Sequence, residues 1–121
     1  MAFRACALRR FAVRPLPPLG APCLREVAQV VPEEMFGTPK LDRIVEDLID
    51  TMHAANGAGI AGPQIDEPWR VFVVHGTGAN PRSPYKPAVP LTVFVNPEIE
   101  VLDDTPMHMI EGCLSIPGVR G

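Results

Sequence analysis

Nowhere in the chain does an apolar run continue long enough to cross a bilayer, because Pro, Gly or a charged residue interrupts each one. Positive charge is also in short supply. Eleven Lys and Arg stand against fourteen Asp and Glu, a formal net charge of -3, so the chain carries no electrostatic footprint for nucleic acid. Cysteine is scarce and scattered, at Cys6, Cys23 and Cys113. An odd, dispersed set is a poor disulfide framework and suits a reducing compartment. Cys6 and Cys23 have no motif around them and read as small buried hydrophobes. No internal repeat is apparent.

What the chain does have is a globular balance, with 46% hydrophobic and 21% charged residues over a length of 121. That predicts one small domain with little stability margin if a packing layer is missing. Proline is plentiful, fifteen in all. Two clusters, Pro15, Pro17, Pro18 and Pro22, then Pro81, Pro84, Pro87 and Pro90, predict extended or loop-like chain, since proline fixes φ and removes a donor. Residues 1–14 contain Arg4, Arg9, Arg10 and Arg14 and no acid. They read as a disordered N-terminal extension or as an organellar transit peptide, which leaves residues 15–121 as the domain.

Thr38-Pro39 announces a helix, with Thr as N-cap and Pro at the first helical position. Leu41, Ile44, Val45, Leu48, Ile49 and Met52 then keep the spacing of one apolar face. Asp42, Arg43, Glu46, Asp47 and Asp50 fill the opposite, solvated face. Asn56-Gly57 ends the element with residues that tolerate a left-handed conformation. Val71 to His75 predicts a buried strand, and Gly76 to Pro90 a loop. Leu91 to Val95 predicts a second strand, broken or bulged at Asn96-Pro97 and continued by Ile99, Val101 and Leu102. Asp103-Asp104 suggests a turn before a last β-like stretch, Met107 to Ile110. One long helix against short, mainly antiparallel strands is an α+β pattern.

Two strings carry chemistry. The first, Gly57-Ala58-Gly59-Ile60-Ala61-Gly62-Pro63-Gln64, follows the helix directly. Its glycines let backbone lie against a ligand, and Gln64 can donate a hydrogen bond to a developing oxyanion. Taken alone it is equally a helix stop and a tight loop. The second is Glu111-Gly112-Cys113-Leu114-Ser115, where a thiolate would be a soft ligand for zinc or iron. Taken alone, Cys113 is equally a core residue of an apolar strand.

In this order, and after this helix, the two strings together resemble the peptide deformylase family, whose motifs read GxGxAAxQ and EGCLS. Gly57, Gly59, Ala61 and Gln64 match the first, with Gly62 where the family prefers alanine. Glu111 to Ser115 match the second in full. The resemblance runs from about Val13 to the end, through Thr51, Met52 and His53 and the Ser115-Ile116-Pro117-Gly118 continuation. It implies a hydrolase that removes the formyl group from N-formylmethionyl nascent peptides, met at the ribosome, in the bacterial cytoplasm. If residues 1–14 are a transit peptide, the compartment is mitochondrion or plastid. It further implies Fe²⁺, replaceable by Zn²⁺ or Ni²⁺, held by Cys113 and two histidines of an HExxH helix. Gln64 and the Leu114 amide would stabilise the oxyanion, while Gly57, Gly59, Glu111 and Gly112 would align the peptide.

The match stops at one point. No HExxH occurs among the 121 residues, and the histidines, His53, His75 and His108, include no i, i+4 pair. His108 is five residues before Cys113 on an expected strand, a spacing that puts the two side chains on opposite faces. The expectation is therefore a truncated deformylase-like fold without its HExxH helix, inactive on its own. The alternatives are a metal-free module that binds peptide ends and a non-functional fragment. Gly62 is expected to loosen the chain near Gln64, and Ala58 to widen the methionine pocket.

Overall fold

The computed structural model describes residues 12–78 and 85–121. Arg4, Arg9, Arg10 and Cys6 of the expected extension, and Pro81 and Pro84 of the second proline cluster, lie outside the described residues.

Helix α1 (Pro39–Ala54) begins at the expected proline, with Thr38 extended before it. The Thr38 hydroxyl does not cap the helix, however. It donates backward to the Met35 carbonyl at 2.7 Å, an acceptor presented by the 3-10 turn Glu33–Met35. At the other end Asn56 takes φ +51, and the Gly57 amide donates to Met52 O at 2.9 Å, closing the last turn. The apolar face buries Leu41, Ile44, Leu48 and Met52, with Val45 and Ile49 packed at its margin.

The opposite face is not wholly solvated as its composition suggests. Asp47 is buried, and Arg14 Nη1 reaches its Oδ2 at 3.1 Å. Arg14 also donates its backbone amide to Thr51 Oγ1 at 2.9 Å and a second guanidinium nitrogen to Ile65 O at 3.3 Å. A residue that composition assigned to the extension is stapled to the body because Asp47, on the helix, offers a charge that only a distant partner can satisfy.

Three antiparallel strands form the main sheet in the order β1 (Gly59–Ala61), β2 (Val71–Gly76), β3 (Val89–Val95). Gly59 faces Val74 across β1 and β2, and Phe72 faces Phe94 across β2 and β3. Only one face of β2 is buried. Val71 and Val73 join the core with Ile60, Ile65, Val31 and the helix, while Phe72 stacks on Phe94 at 4.7 Å on the other face. Burial of side chains such as Leu48 and Met52 contributes about 1.5–3 kcal/mol each. β3 starts at Val89, inside the stretch expected to be loop. Pro90 is tolerated there because β3 is the outer strand of this sheet among the described residues, and an outward-facing position needs no N–H.

β3 ends where Asn96-Pro97 predicts. Asn96 turns left-handed at φ +52, and its side chain clips Val31 through both atoms, Oδ1 accepting at 2.7 Å and Nδ2 donating at 2.9 Å. Beyond it, neither the continuation through Ile99, Val101 and Leu102 nor the stretch Met107–Ile110 is a strand. These side chains are exposed, Ile99 at 92% and Leu102 at 89%. β-propensity without a neighbouring strand to pair with does not make a strand. At Asp103-Asp104, where a turn was expected, no backbone turn forms; the Thr105 amide donates instead to Asp103 Oδ1 at 2.9 Å. A separate hairpin, β4 (Gly112–Cys113) with β5 (Ile116–Arg120), closes the chain. No helix among the described residues is long and apolar enough to cross a membrane.

Candidate active site

The glycine-rich string is more than a helix stop. After α1 it becomes β1, then a 3-10 turn, Gly62–Ile65, that carries Gln64. Gln64 Oε1 accepts the Ala61 amide at 3.0 Å, the reach-back of a side chain in the first turn of a helix. A backbone N–H can only face an acceptor, so this bond fixes which end of the side-chain amide is oxygen. Nε2 consequently points away from the turn. It lies 3.1 Å from Ser115 Oγ and 3.8 Å from Cys113 Sγ, 49 residues further along the chain.

Gly62 does not loosen this turn. It is buried, and a Cβ there would sit 2.7 Å from Trp69 O and 2.9 Å from Glu67 O. The backbone of residues 67–69 closes directly over it, so the position is tight because it is glycine.

The hairpin bearing the second string is locked at its open end by two hydrogen bonds between Glu111 and Gly121, 2.7 and 3.1 Å long. Its turn, Leu114-Ser115, points inward, unlike most turn tips. Leu114 packs against the core and over the helix end, where a Cβ on Gly57 would approach its Cδ1 to 2.7 Å. Ser115 is 7% exposed, and Cys113 is exposed beside it. Between hairpin and body runs an open groove of about 950 Å³. Gly57, Ala58, Gly59, Gln64, Glu111, Gly112, Cys113 and Leu114 all line it. The fold thus gathers along one groove the residues of the two strings that the resemblance gave a site role, Gly57, Gly59, Gln64, Glu111, Gly112, Cys113 and Leu114.

A metal fits these residues only in part. Cys113 offers one sulfur donor to the groove, and among the described residues no group of three His, Cys, Asp or Glu is arranged to hold an ion. His108 sits on exposed coil, so the opposite-faces argument against it loses its premise, yet no donor cluster includes it. Sequence reasoning missed two things here. One is Ser115, which carried no chemistry of its own in the string. The other is a contact between His53 Nε2 and His75 Nδ1 at 3.1 Å, away from the groove, joining the end of α1 to the end of β2. No local pattern signals a pair 22 residues apart.

The fold and site define an α+β protein in which a thiol-bearing hairpin meets a single side-chain amide donor beside an open groove. A sequence profile of the polypeptide deformylase family matches residues 13–121, and the chain belongs to that family. It is 48% identical over 109 residues to peptide deformylase 2 of Ralstonia nicotianae, covering 90% of this chain and 60% of that protein. It is 44% identical to peptide deformylase 1 of Nitrosomonas europaea, with the same coverage. Among solved structures, the class I type b peptide deformylase of Acinetobacter baumannii bound to Met-Ala-Ser superposes with a TM-score of 0.83 at 35% identity. That match covers 90% of this chain and 68% of the other. The chain thus spans about 60% of the length of the curated relatives it matches.

Proposed function

We propose that this chain supplies the oxyanion-binding and thiolate part of a peptide deformylase site, one that hydrolyses the formamide of N-formylmethionyl peptides. The observation that supports this best is the convergence of Gln64 Nε2 on Cys113 Sγ and Ser115 Oγ, with Gln64 and Cys113 both lining the groove. In this reading the Gln64 N–H and the Leu114 amide receive the negative charge that develops on the formyl oxygen. Backbone at Gly57, Gly59, Glu111 and Gly112 aligns the peptide as an added strand. Cys113 is one ligand of a metal, Fe²⁺ with Zn²⁺ or Ni²⁺ able to replace it, and turnover needs two further donors that the described residues do not provide. The substrate is the formylated nascent chain near the ribosome, in the bacterial cytoplasm. The neighbour solved with Met-Ala-Ser holds a peptide of the corresponding product class.

The test is release of formate from formyl-Met-Ala-Ser, using this chain joined to the remaining C-terminal segment of a close relative. Turnover is expected, and Cys113→Ala should remove both bound metal and activity. Gln64→Leu should keep the metal and lower kcat by about 10²–10³, the loss typical of one oxyanion donor. A wild-type kcat for Gln64→Leu with metal bound would overturn the reading of the first string. Peptide binding without any formate release would favour a module that only holds peptide ends.

A further inference from the structure

Ser115 has no role in that account, yet it is the one buried residue between Asn96 and Gly121. Its hydroxyl oxygen accepts a hydrogen bond from Gln64 Nε2 at 3.1 Å, and the Oε1 end of the same amide is held by the Ala61 N–H at 3.0 Å. We infer that Ser115 is a positioning residue: it fixes the plane of the Gln64 amide, so that the second N–H of that amide is aimed over Cys113 Sγ. This rests on the deformylase reading for its catalytic meaning, but its geometry stands apart from it.

The argument is one of degrees of freedom. A single bond at Oε1 leaves the Gln64 amide free to swing about that contact. A planar amide held at both ends cannot swing. An NH₂ group has two hydrogens in fixed directions, and Ser115 Oγ takes one of them. The other faces Cys113 Sγ at 3.8 Å, too long for a strong hydrogen bond and therefore easily surrendered to a better acceptor. A developing oxyanion beside the sulfur would be such an acceptor. Donors oriented before reaction cost no reorganisation during it, whereas a side chain left free must be immobilised at the moment of binding. Ser115 lies in the inward-pointing turn of the hairpin, so the same bond also registers the thiol-bearing hairpin against the 3-10 turn of the body.

The experiment uses side-chain amide resonances of the ¹⁵N-labelled full chain, with Gln64→Leu identifying the Gln64 pair by its disappearance. In the wild type the two Nε2 protons should be dispersed and protected from exchange. Ser115→Ala should collapse the dispersion and lower protection about tenfold, the worth of one hydrogen bond, and Ser115→Thr should restore both. Contacts between the Leu114 methyls and Gly57 must persist in Ser115→Ala, which shows the hairpin still docked. If they are lost, Ser115→Cys, which keeps the turn and replaces the hydroxyl with a weak acceptor, takes its place with the same expectation. Unchanged Gln64 resonances in a docked variant without the hydroxyl would overturn the inference, since Ala61 alone would then hold the amide. Titration with formyl-Met-Ala separates the two readings. Dependence on Ser115 with no peptide-induced shift would support the positioning role while counting against deformylation.

Discussion

Two regions of this molecule are built on different terms. The body, from Arg14 to Gly76 with β3 laid on it, holds its residues by a shared core around Leu48, Met52, Ile65 and Val73, all essentially inaccessible. The stretch from Pro97 to Gly121 has almost no buried surface and meets the body through Leu114 and Ser115. Yet each region carries one of the two chemical strings. Gln64 is positioned by the core and by its own turn, whereas Cys113 is positioned by a hairpin with two points of attachment. Alignment of the site therefore depends on a small contact rather than on the large one. Ile99, Val101, Leu102, Met107 and Ile110 form an exposed apolar series on the weakly held side. In the longer relatives, 40% of the length has no counterpart here.

The sharpest way to break the comparison is to remove equal amounts of side chain from both regions. Leu48→Ala should destabilise the protein by about 2–5 kcal/mol, through lost burial and the cavity left behind. Ile99→Ala should change stability by no more than about 0.5 kcal/mol, as expected for an exposed site. Urea unfolding measures both. A comparable loss from Ile99→Ala would mean that the exposed series is packed in solution, and that the two regions form one cooperative core.

A smaller effect tests how tightly the body grips its chemical string. Gly62 was expected to loosen the chain near Gln64, but the carbonyls of Trp69 and Glu67 leave no room for a Cβ there. Backbone cannot swing aside as a side-chain tip can, so Gly62→Ala should cost about 1–3 kcal/mol by overpacking. For Gly57→Ala the three nearest atoms all belong to the Leu114 side chain. This substitution should leave the body's stability nearly unchanged while displacing the hairpin. Thermal melts of the two variants, with Leu114 methyl shifts as the hairpin reporter, separate these outcomes. A neutral Gly62→Ala would show that residues 67–69 relax readily and that the turn under Gln64 is looser than its packing indicates.

How much of this was legible in the sequence depended on whether the determining interaction was local. Helix α1 announces itself because its proline start, its apolar spacing and its Asn56 stop all act within a few residues of one another. The two chemical strings are legible for the same reason. Arg14 on Asp47, the Asn96 clip on Val31, and Gln64 on Ser115 are not, because each joins residues more than 30 positions apart. The strands expected between Ile99 and Ile110 fail from the converse cause. Their propensity is local, but a strand exists only where a partner is placed beside it, and none of the described residues is.

The smallest effect compares one thiol from each region. Cys23 belongs to the body, half-buried in a small hollow with Glu26 and Asp66. Its pKa is raised, first by burial, then by the charge of the Asp66 carboxylate and by the hydrogen bond that carboxylate accepts. Cys113, on the hairpin, is exposed. In a Cys6→Ser background, alkylation by iodoacetamide near pH 8.5 should therefore mark Cys113 first. Cys23 should follow only as pH climbs above the range in which an unfolded thiol, with a pKa of about 8.5, has already ionised. The sign for stability is the same. A folded pKa above the unfolded one contributes stability that is fully present below the unfolded value and is lost as pH rises through the folded value. Asp66→Asn should bring the Cys23 reaction to lower pH without altering Cys113, since it removes the neighbouring charge and leaves the hairpin untouched. Equal rates for the two thiols across the whole range would show that the hollow around Cys23 is open to solvent, and would erase the distinction between body and hairpin at this edge of the molecule.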